Sequence, residues 1–199
     1  DTLEHVPPEQ RPGFLGELTR VSRGVIVLAA PSYSEVNVAA ERTLSEFIKV
    51  VLGAEHQQLK EHLENGLPRE EMVQARLQEL GYETAVFGSG STPVWLNLML
   101  FRHLLMTYPE YNELIRSVDR YFNTQWFDPD QNVDPAYRRV FIAVKKGAVS
   151  PAQLRPEFAE PGLIGPLTGL AGLQEMVADL AVWRRRTAPV TAKTVVLAI

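Results

Sequence analysis

The run Gly24-Val-Ile-Val-Leu-Ala-Ala30, stopped by Pro31, constrains this chain more than any other segment. It is apolar at every position after Gly24, rich in β-branched residues and too short for a stable helix. A strand without polar alternation suits a sheet covered on both faces, as in a parallel sheet flanked by helices. The segment before it agrees. Residues 8–23 open with Pro-Pro-Glu-Gln-Arg-Pro and then place Phe14, Leu15, Leu18 and Val21 at helical spacing, with Pro12 in the first turn, where its missing N–H costs nothing. A helix leading into a buried strand is half of an α/β crossover, so the expected fold class is α/β.

Composition narrows the function classes. With 45% hydrophobic and 22% charged residues, the 199-residue chain is an ordinary globular sequence, not a disordered, collagen-like or coiled-coil one. Its 24 acidic and 20 basic residues leave a net charge of −4 with no basic stripe, so nucleic acid is not an expected partner. No membrane span is expected either, because the most apolar stretch, Val94 to Met106, is short and holds Asn97, Arg102 and His103. The absence of cysteine removes thiolate metal sites and cysteine nucleophiles. The chain begins at Asp1 with no methionine and nothing like a signal peptide, so it reads as a cytoplasmic piece cut from a longer polypeptide.

Further along, helical spacing from Ser34 places Leu44, Phe47, Ile48, Val51 and Leu52 on one face, with Gly53 as a stop. A polar stretch, Glu55 to Asn65, runs to Gly66-Leu67-Pro68. Arg69 to Leu80 forms a helix with Val73, Leu77 and Leu80 inward, Thr84 to Phe87 a short strand, and Thr92-Pro93 the N-terminus of a largely buried helix, Val94 to Thr107. Tyr111 to Phe122 is a further helix. Residues 128–135 make a polar turn, and Tyr137 to Lys145 a strand with Val140, Ile142 and Val144 on one side. Four prolines and three glycines between Gly147 and Pro166 mark a linker. Beyond it, Leu170, Leu173, Val177 and Leu180 lie on a helix ending in Arg184 to Arg186, and Thr194 to Ile199 starts another strand.

Three segments, Asp1-Thr-Leu-Glu-His-Val-Pro-Pro-Glu9, Leu18-Thr-Arg-Val-Ser-Arg23 and Val25 to Pro31, together resemble class I S-adenosylmethionine-dependent methyltransferases. The resemblance implies that an acidic residue closes the fourth strand, that Val25 to Ala30 is the fifth, Thr84 to Phe87 the sixth, and Tyr137 to Lys145 an antiparallel seventh. Gly53-Ala-Glu-His56, Leu59-Lys-Glu-His62 and Gly66-Leu-Pro68 are similar to a bacterial subgroup with helical insertions. On this resemblance residues 1–146 form the C-terminal half of the domain, a partial Rossmann-like sheet incomplete at its N-terminus. Residues 147–166 form the linker, and residues 167–199 a helix and the start of a further region, which leaves room for fusion to another domain. The cofactor's glycine-rich loop then belongs upstream of Asp1. Gly88-Ser-Gly-Ser91 lacks a third glycine and reads as a flexible loop. The implied function is transfer of a methyl group from S-adenosylmethionine to oxygen or nitrogen of a small-molecule or sugar acceptor. The alternative is a non-catalytic helical module that mediates assembly within a larger biosynthetic protein.

Methyl transfer requires an oriented acceptor and a group to take its proton. His5 and His62 are the candidate catalytic residues, Asp1 and Glu4 the candidate cofactor contacts, and Tyr33 and Trp95 the candidate acceptor-pocket aromatics. Tyr33 and Trp95 suit core packing equally well. No metal is assigned; Asp1, Glu4 and His5 are the set that would hold one, as a similar acidic-x-x-Glu-His arrangement does in the O-methyltransferases of ubiquinone biosynthesis. Glu4 and His5 equally suit the satisfaction of backbone donors at the next helix start. His56 and His62 with Glu55 and Glu61 form a second cluster, whose six-residue spacing is wrong for two ligands on one helical face. His103 reads as a hydrogen-bonded core histidine, and Asp128, Asp130 and Asp134 as a turn, not a calcium loop. If four strands are missing upstream, Val25 to Ala30 becomes an unpaired apolar edge, and the isolated chain should not bind S-adenosylmethionine.

Overall fold

The computed structural model describes residues 1–126, 134–147, 150 and 153. A 3₁₀ turn, Leu3–His5, precedes α1 (Arg11–Val21), β1 (Val25–Pro31) and α2 (Glu35–Phe47), which continues as a π turn over Ile48–Leu52. Then come α3 (Gln57–Asn65), α4 (Glu70–Glu79), β2 (Tyr82–Ser91) and α5 (Thr92–Met106). A short turn leads to α6 (Asn112–Tyr121), and β3 (Ala136–Lys145) follows.

The fold is α/β with one three-stranded sheet in the order β1-β3-β2. β3 is antiparallel to both neighbours, from Val25 opposite Val144 to Pro31 opposite Arg138 on one side, and from Tyr82 opposite Lys145 to Ser91 opposite Ala136 on the other. Consequently β1 and β2 run parallel, and their carboxyl ends meet at the start of β3. One sheet face packs Ile26, Leu28, Phe141 and Ala143 against Leu3, Leu15 of α1 and Val73 and Leu77 of α4. The opposite face holds Phe87, Ile142 and Val144, with Val140 against them, as the alternation in Tyr137 to Lys145 predicts. A third cluster ties α2, α3 and α5 through Leu44, Ile48 and Leu59, with Trp95 and Met99 packed on it. Leu77 is fully buried, so Leu77→Ala should cost about 2–5 kcal/mol.

Several expectations are corrected. The Val25 to Ala30 run is covered on one face only: Val25 is 53% and Val27 69% exposed, while Ile26, Leu28 and Ala30 are buried. Cover on the Val25–Val27 face is present at β3 but does not reach β1, whose outer edge has no strand partner among the described residues. Val21 at the end of α1 and Val51 in the π turn are likewise exposed rather than inward. The polar stretch before Asn65 contains a helix, α3, because Leu59 gives it one apolar anchor. Gly88 to Ser91 is not a loop. Gly88, Ser89 and Ser91 pair with Arg139, Arg138 and Ala136 because β3 extends alongside them, and Gly90 takes a positive φ of 75°.

Helix α5 is less buried than its sequence predicts. Only Thr92 and His103 are buried, and Leu104 and Met106 are exposed, since α2, the sheet and α6 each cover part of its apolar circumference. Thr92 is not the cap either; its hydroxyl donates to Asn37 Oδ1 at 2.6 Å. The buried Asn37 amide in turn donates to the carbonyls of Ser32, Ala136 and Tyr137, joining the end of β1 to the start of β3. Most of the 127–135 turn, the 147–166 linker apart from Gly147, Ser150 and Gln153, and everything from 167 to 199 lie outside the described residues. Among the described residues no helix is long and apolar enough to cross a membrane.

Candidate functional site

Four elements converge at the carboxyl ends of β1 and β2. Leu3 is wholly buried with Leu15 and Leu28, and this anchors the Leu3–His5 turn beside the sheet, so Glu4 is driven inward with it. Helix α3 begins at His56, whose Nδ1 accepts from the Leu59 N–H at 3.4 Å. Leu59 packs against Leu44 and Ile48, and His62, three residues on, shares its inward face. Glu41 lies three residues before Leu44 on α2, again inward, and Tyr137 enters from the start of β3.

The side chains form one connected network. His62 Nδ1 is 2.8 Å from Glu41 Oε1, and the Tyr137 hydroxyl donates to the same oxygen at 2.7 Å. Glu41 and His62 are both buried. On the other side, His5 Nδ1 is 2.8 Å from Glu61 Oε2. Each imidazole therefore donates its Nδ1–H to a carboxylate, which leaves Nε2 as the acceptor of the neutral ring. The two Nε2 atoms face each other at 3.4 Å, with ring centroids 4.7 Å apart. Glu4 Oε1 lies 3.8 Å from His5 Nε2, and Glu4 Oε2 is buried without a hydrogen-bond partner. Burial, followed by the charge of Glu41, pushes the Tyr137 hydroxyl pKa up, so it stays a donor. Hydrogen bonds from Gln57 and then His5 hold the Glu61 carboxyl below its ordinary value.

Two ring nitrogens and a carboxylate thus converge on one point. The ligand atoms of Glu4, His5 and His62 lie within 4.8 Å of one another. An orphaned carboxylate oxygen in a buried site costs about 1–3 kcal/mol or more, and a cation removes that cost. Carboxylates on the far nitrogen of each histidine are the arrangement that fixes the tautomer of metal-binding imidazoles. The donor set therefore fits a divalent transition-metal cation of the zinc or manganese type.

The structure brings together His5, His62 and Glu4 but not Asp1. Asp1 is half-exposed and bound by Arg138, with Nε and Nη2 contacts of 2.8–3.0 Å, so the set that could hold a cation contains His62 in its place. The supposed His56–His62 cluster also divides. His62 faces His5, whereas His56 packs edge-on against His103 at 5.4 Å, and His103 Nδ1 donates to the Met99 carbonyl. Burial, then the proximity of His103 and His62, lowers the His56 pKa. The aromatic candidates occupy different clefts. Trp95 stacks on Tyr137 at 3.7 Å and lines a cleft of about 190 Å³ between α5 and α6, while Tyr33 lies under the Arg69 guanidinium in another of about 310 Å³.

Glu41, Tyr137 and the pairing role of Glu61 are the residues that sequence reasoning did not single out. Glu61 was visible beside His62. Glu41 and Tyr137 sit 21 and 75 residues from His62, inside segments whose apolar periodicity accounts for them. No protein-family model matches the chain, and comparison with curated proteins and with solved structures finds no match.

Proposed function

We propose that these residues belong to an S-adenosylmethionine-dependent methyltransferase that methylates oxygen or nitrogen of a small-molecule or sugar acceptor, and that Glu4, His5 and His62 are its acceptor-activating centre. The observation that carries this reading is the convergence of two Nε2 nitrogens and a buried carboxylate at the carboxyl edge of parallel strands, the edge where open α/β sheets bind ligands. The strand directions support it too: β1 and β2 are parallel and β3 antiparallel, as the resemblance implies for strands five, six and seven.

S-adenosylmethionine supplies the methyl group as an electrophilic carbon on a sulfonium. The acceptor oxygen or nitrogen attacks in line as the sulfonium S–CH3 bond breaks, the electron pair leaving on sulfur as the neutral thioether S-adenosylhomocysteine and the acceptor's proton leaving as the new bond forms. His62 Nε2 takes that proton, and Glu41, itself held by Tyr137, stabilises the resulting imidazolium through Nδ1. His5, held by Glu61, orients the acceptor beside it. A divalent cation held by Glu4, His5 and His62 would occupy the His62 Nε2 lone pair, and would then replace His62 as the activating group by lowering the acceptor's pKa as a Lewis acid.

The test is transfer of labelled methyl from S-adenosylmethionine to a panel of metabolites and glycans by the full-length native polypeptide, with and without chelator. Activity is expected on at least one acceptor, lost with His62→Ala. Absence of both methyl transfer and S-adenosylmethionine binding in the full-length polypeptide overturns the reading.

A further inference from the structure

A second cleft, of about 310 Å³, opens beside Tyr33, between α1, the Gly66–Pro68 turn and α4. Three arginines line it, Arg11, Arg69 and Arg76, and none of its lining residues is acidic. Their partners differ. Arg76 is paired with Glu79 at 2.9 Å and also donates to the Pro12 carbonyl. Arg11 donates from Nε and Nη2 to the carbonyls of Val6, Asn65 and Gly66, and no carboxylate among the described residues pairs with it; Glu4 and Glu9 act on it only at longer range. Arg69 lies over the Tyr33 ring, with Cζ 3.7 Å from its centroid, and no carboxylate among the described residues pairs with it. Its neighbour Glu70 turns instead to Arg139, at 3.0 Å. Among the described residues the Tyr33 hydroxyl has no hydrogen-bond partner either.

This arrangement is built rather than incidental. The Tyr33 N–H and the Ser32 hydroxyl both donate to the Pro68 carbonyl, which clamps the turn carrying Arg69 to the end of β1. Leu67 and Pro68 are buried beneath it. The guanidinium is therefore presented by a fixed backbone over an aromatic ring, with no partner for its donors among the described residues, the geometry in which arginine grips oxyanions with least loss of freedom. Two unpaired cations favour a doubly charged anion over a single carboxylate. Arginine donors together with a tyrosine hydroxyl also match the three oxygens of a phosphoryl group.

We infer that the Arg11–Tyr33–Arg69 cleft is a binding site for the phosphoryl group of a small molecule. Its location relates it to the histidine centre. Arg11 Nε donates to the carbonyl of Val6, next to His5, and Asn65, the last residue of the helix bearing His62, donates to the His5 carbonyl while its own carbonyl accepts from Arg11. The phosphoryl group thus docks against the same backbone that holds both histidines. If the acceptor reading above is right, this site selects phosphorylated acceptors, sugar phosphates among them; the phosphoryl site itself does not depend on that reading.

The experiment is ³¹P NMR or calorimetric titration of the 199-residue chain, without any methyl donor, using inorganic phosphate, glucose 1-phosphate and glucose as probes. Phosphate and the sugar phosphate should bind and glucose should not; tighter binding of the sugar phosphate marks the site as one for esters and not for the free ion. Arg69→Gln, at an exposed helix cap, should weaken binding about tenfold, and Arg20→Gln, an exposed arginine of α1 paired with Glu17, should leave it unchanged. Absence of binding, or equal weakening by the two variants, overturns the inference. Because no methyl donor is present, either result is independent of whether the protein methylates anything.

Discussion

The four histidines of this chain form two pairs within one corner of the molecule, and the pairs are alike in everything but their partners. In the His5–His62 pair each Nδ1 meets a carboxylate, Glu61 and Glu41. In the His56–His103 pair each Nδ1 meets backbone, the Leu59 N–H and the Met99 carbonyl. Carboxylates stabilise positive charge on or beside a ring, whereas a backbone N–H pointing at Nδ1 needs the neutral ring. The rings of both pairs touch, with centroids 4.7 and 5.4 Å apart; what each pair can do is decided one bond further out. One pair presents ring nitrogens backed by carboxylates, and the other has only backbone partners.

That contrast can be broken in order of effect. Replacing His62 with Ala should reduce methyl transfer by about 100-fold or more and abolish any rise in melting temperature on adding zinc or manganese; unchanged turnover would remove His62 from the chemistry. Tyr137→Phe removes one donor from Glu41 without touching either histidine. It should lower kcat roughly tenfold while leaving KM for the acceptor near its original value, and cost about 1 kcal/mol in denaturant unfolding. A KM effect alone would show that Tyr137 lines the acceptor site instead of positioning His62.

The second pair makes the opposite prediction. The folded His56 pKa lies below its ordinary value near 6.5, so the unfolded chain binds the proton more readily. Stability conferred by neutral His56 is thus full above about pH 6.5 and lost as pH falls through the lower folded value. Asn caps α3 without titrating, so His56→Asn should flatten the fall in melting temperature between about pH 7 and 5. A pH profile identical to the wild type would assign that fall to other groups. Smallest of all, His103→Gln should leave methyl transfer unchanged and cost on the order of 1 kcal/mol for the Met99 hydrogen bond.

The legible part of this protein was its local part. Helix α4, its Val73 and Leu77 face and the stop at Gly81 follow from spacing and glycine alone, and β3 follows from the alternation of Val140, Ile142 and Val144. His5 and His62 were identifiable as candidate site residues, and the structure brings their rings together; Glu61 lay next to one of them. The misses share a cause. Burial of Val25 and Val27 depends on what covers a sheet face, and a strand's own apolarity does not specify its cover. Gly88 to Ser91 carry loop-forming residues, yet they pair because β3 runs beside them. Thr92 has every local qualification for a helix cap but finds a stronger partner in Asn37, 55 residues away.

By itself, the amino-acid sequence determined the periodicities, and through them which side chains face inward on each helix and strand. It thereby determined that Glu41 lies on the Leu44 side of its helix, and His62 on the Leu59 side of its own. Only the tertiary structure decided that those two faces meet each other, together with the Leu3–His5 turn, at one sheet edge, and that Asp1 is taken by Arg138 instead. Periodicity is a property of neighbours within a turn or two. The distances that make a histidine basic, capping or cation-binding are set between segments that share no sequence proximity, and only packing brings those segments together.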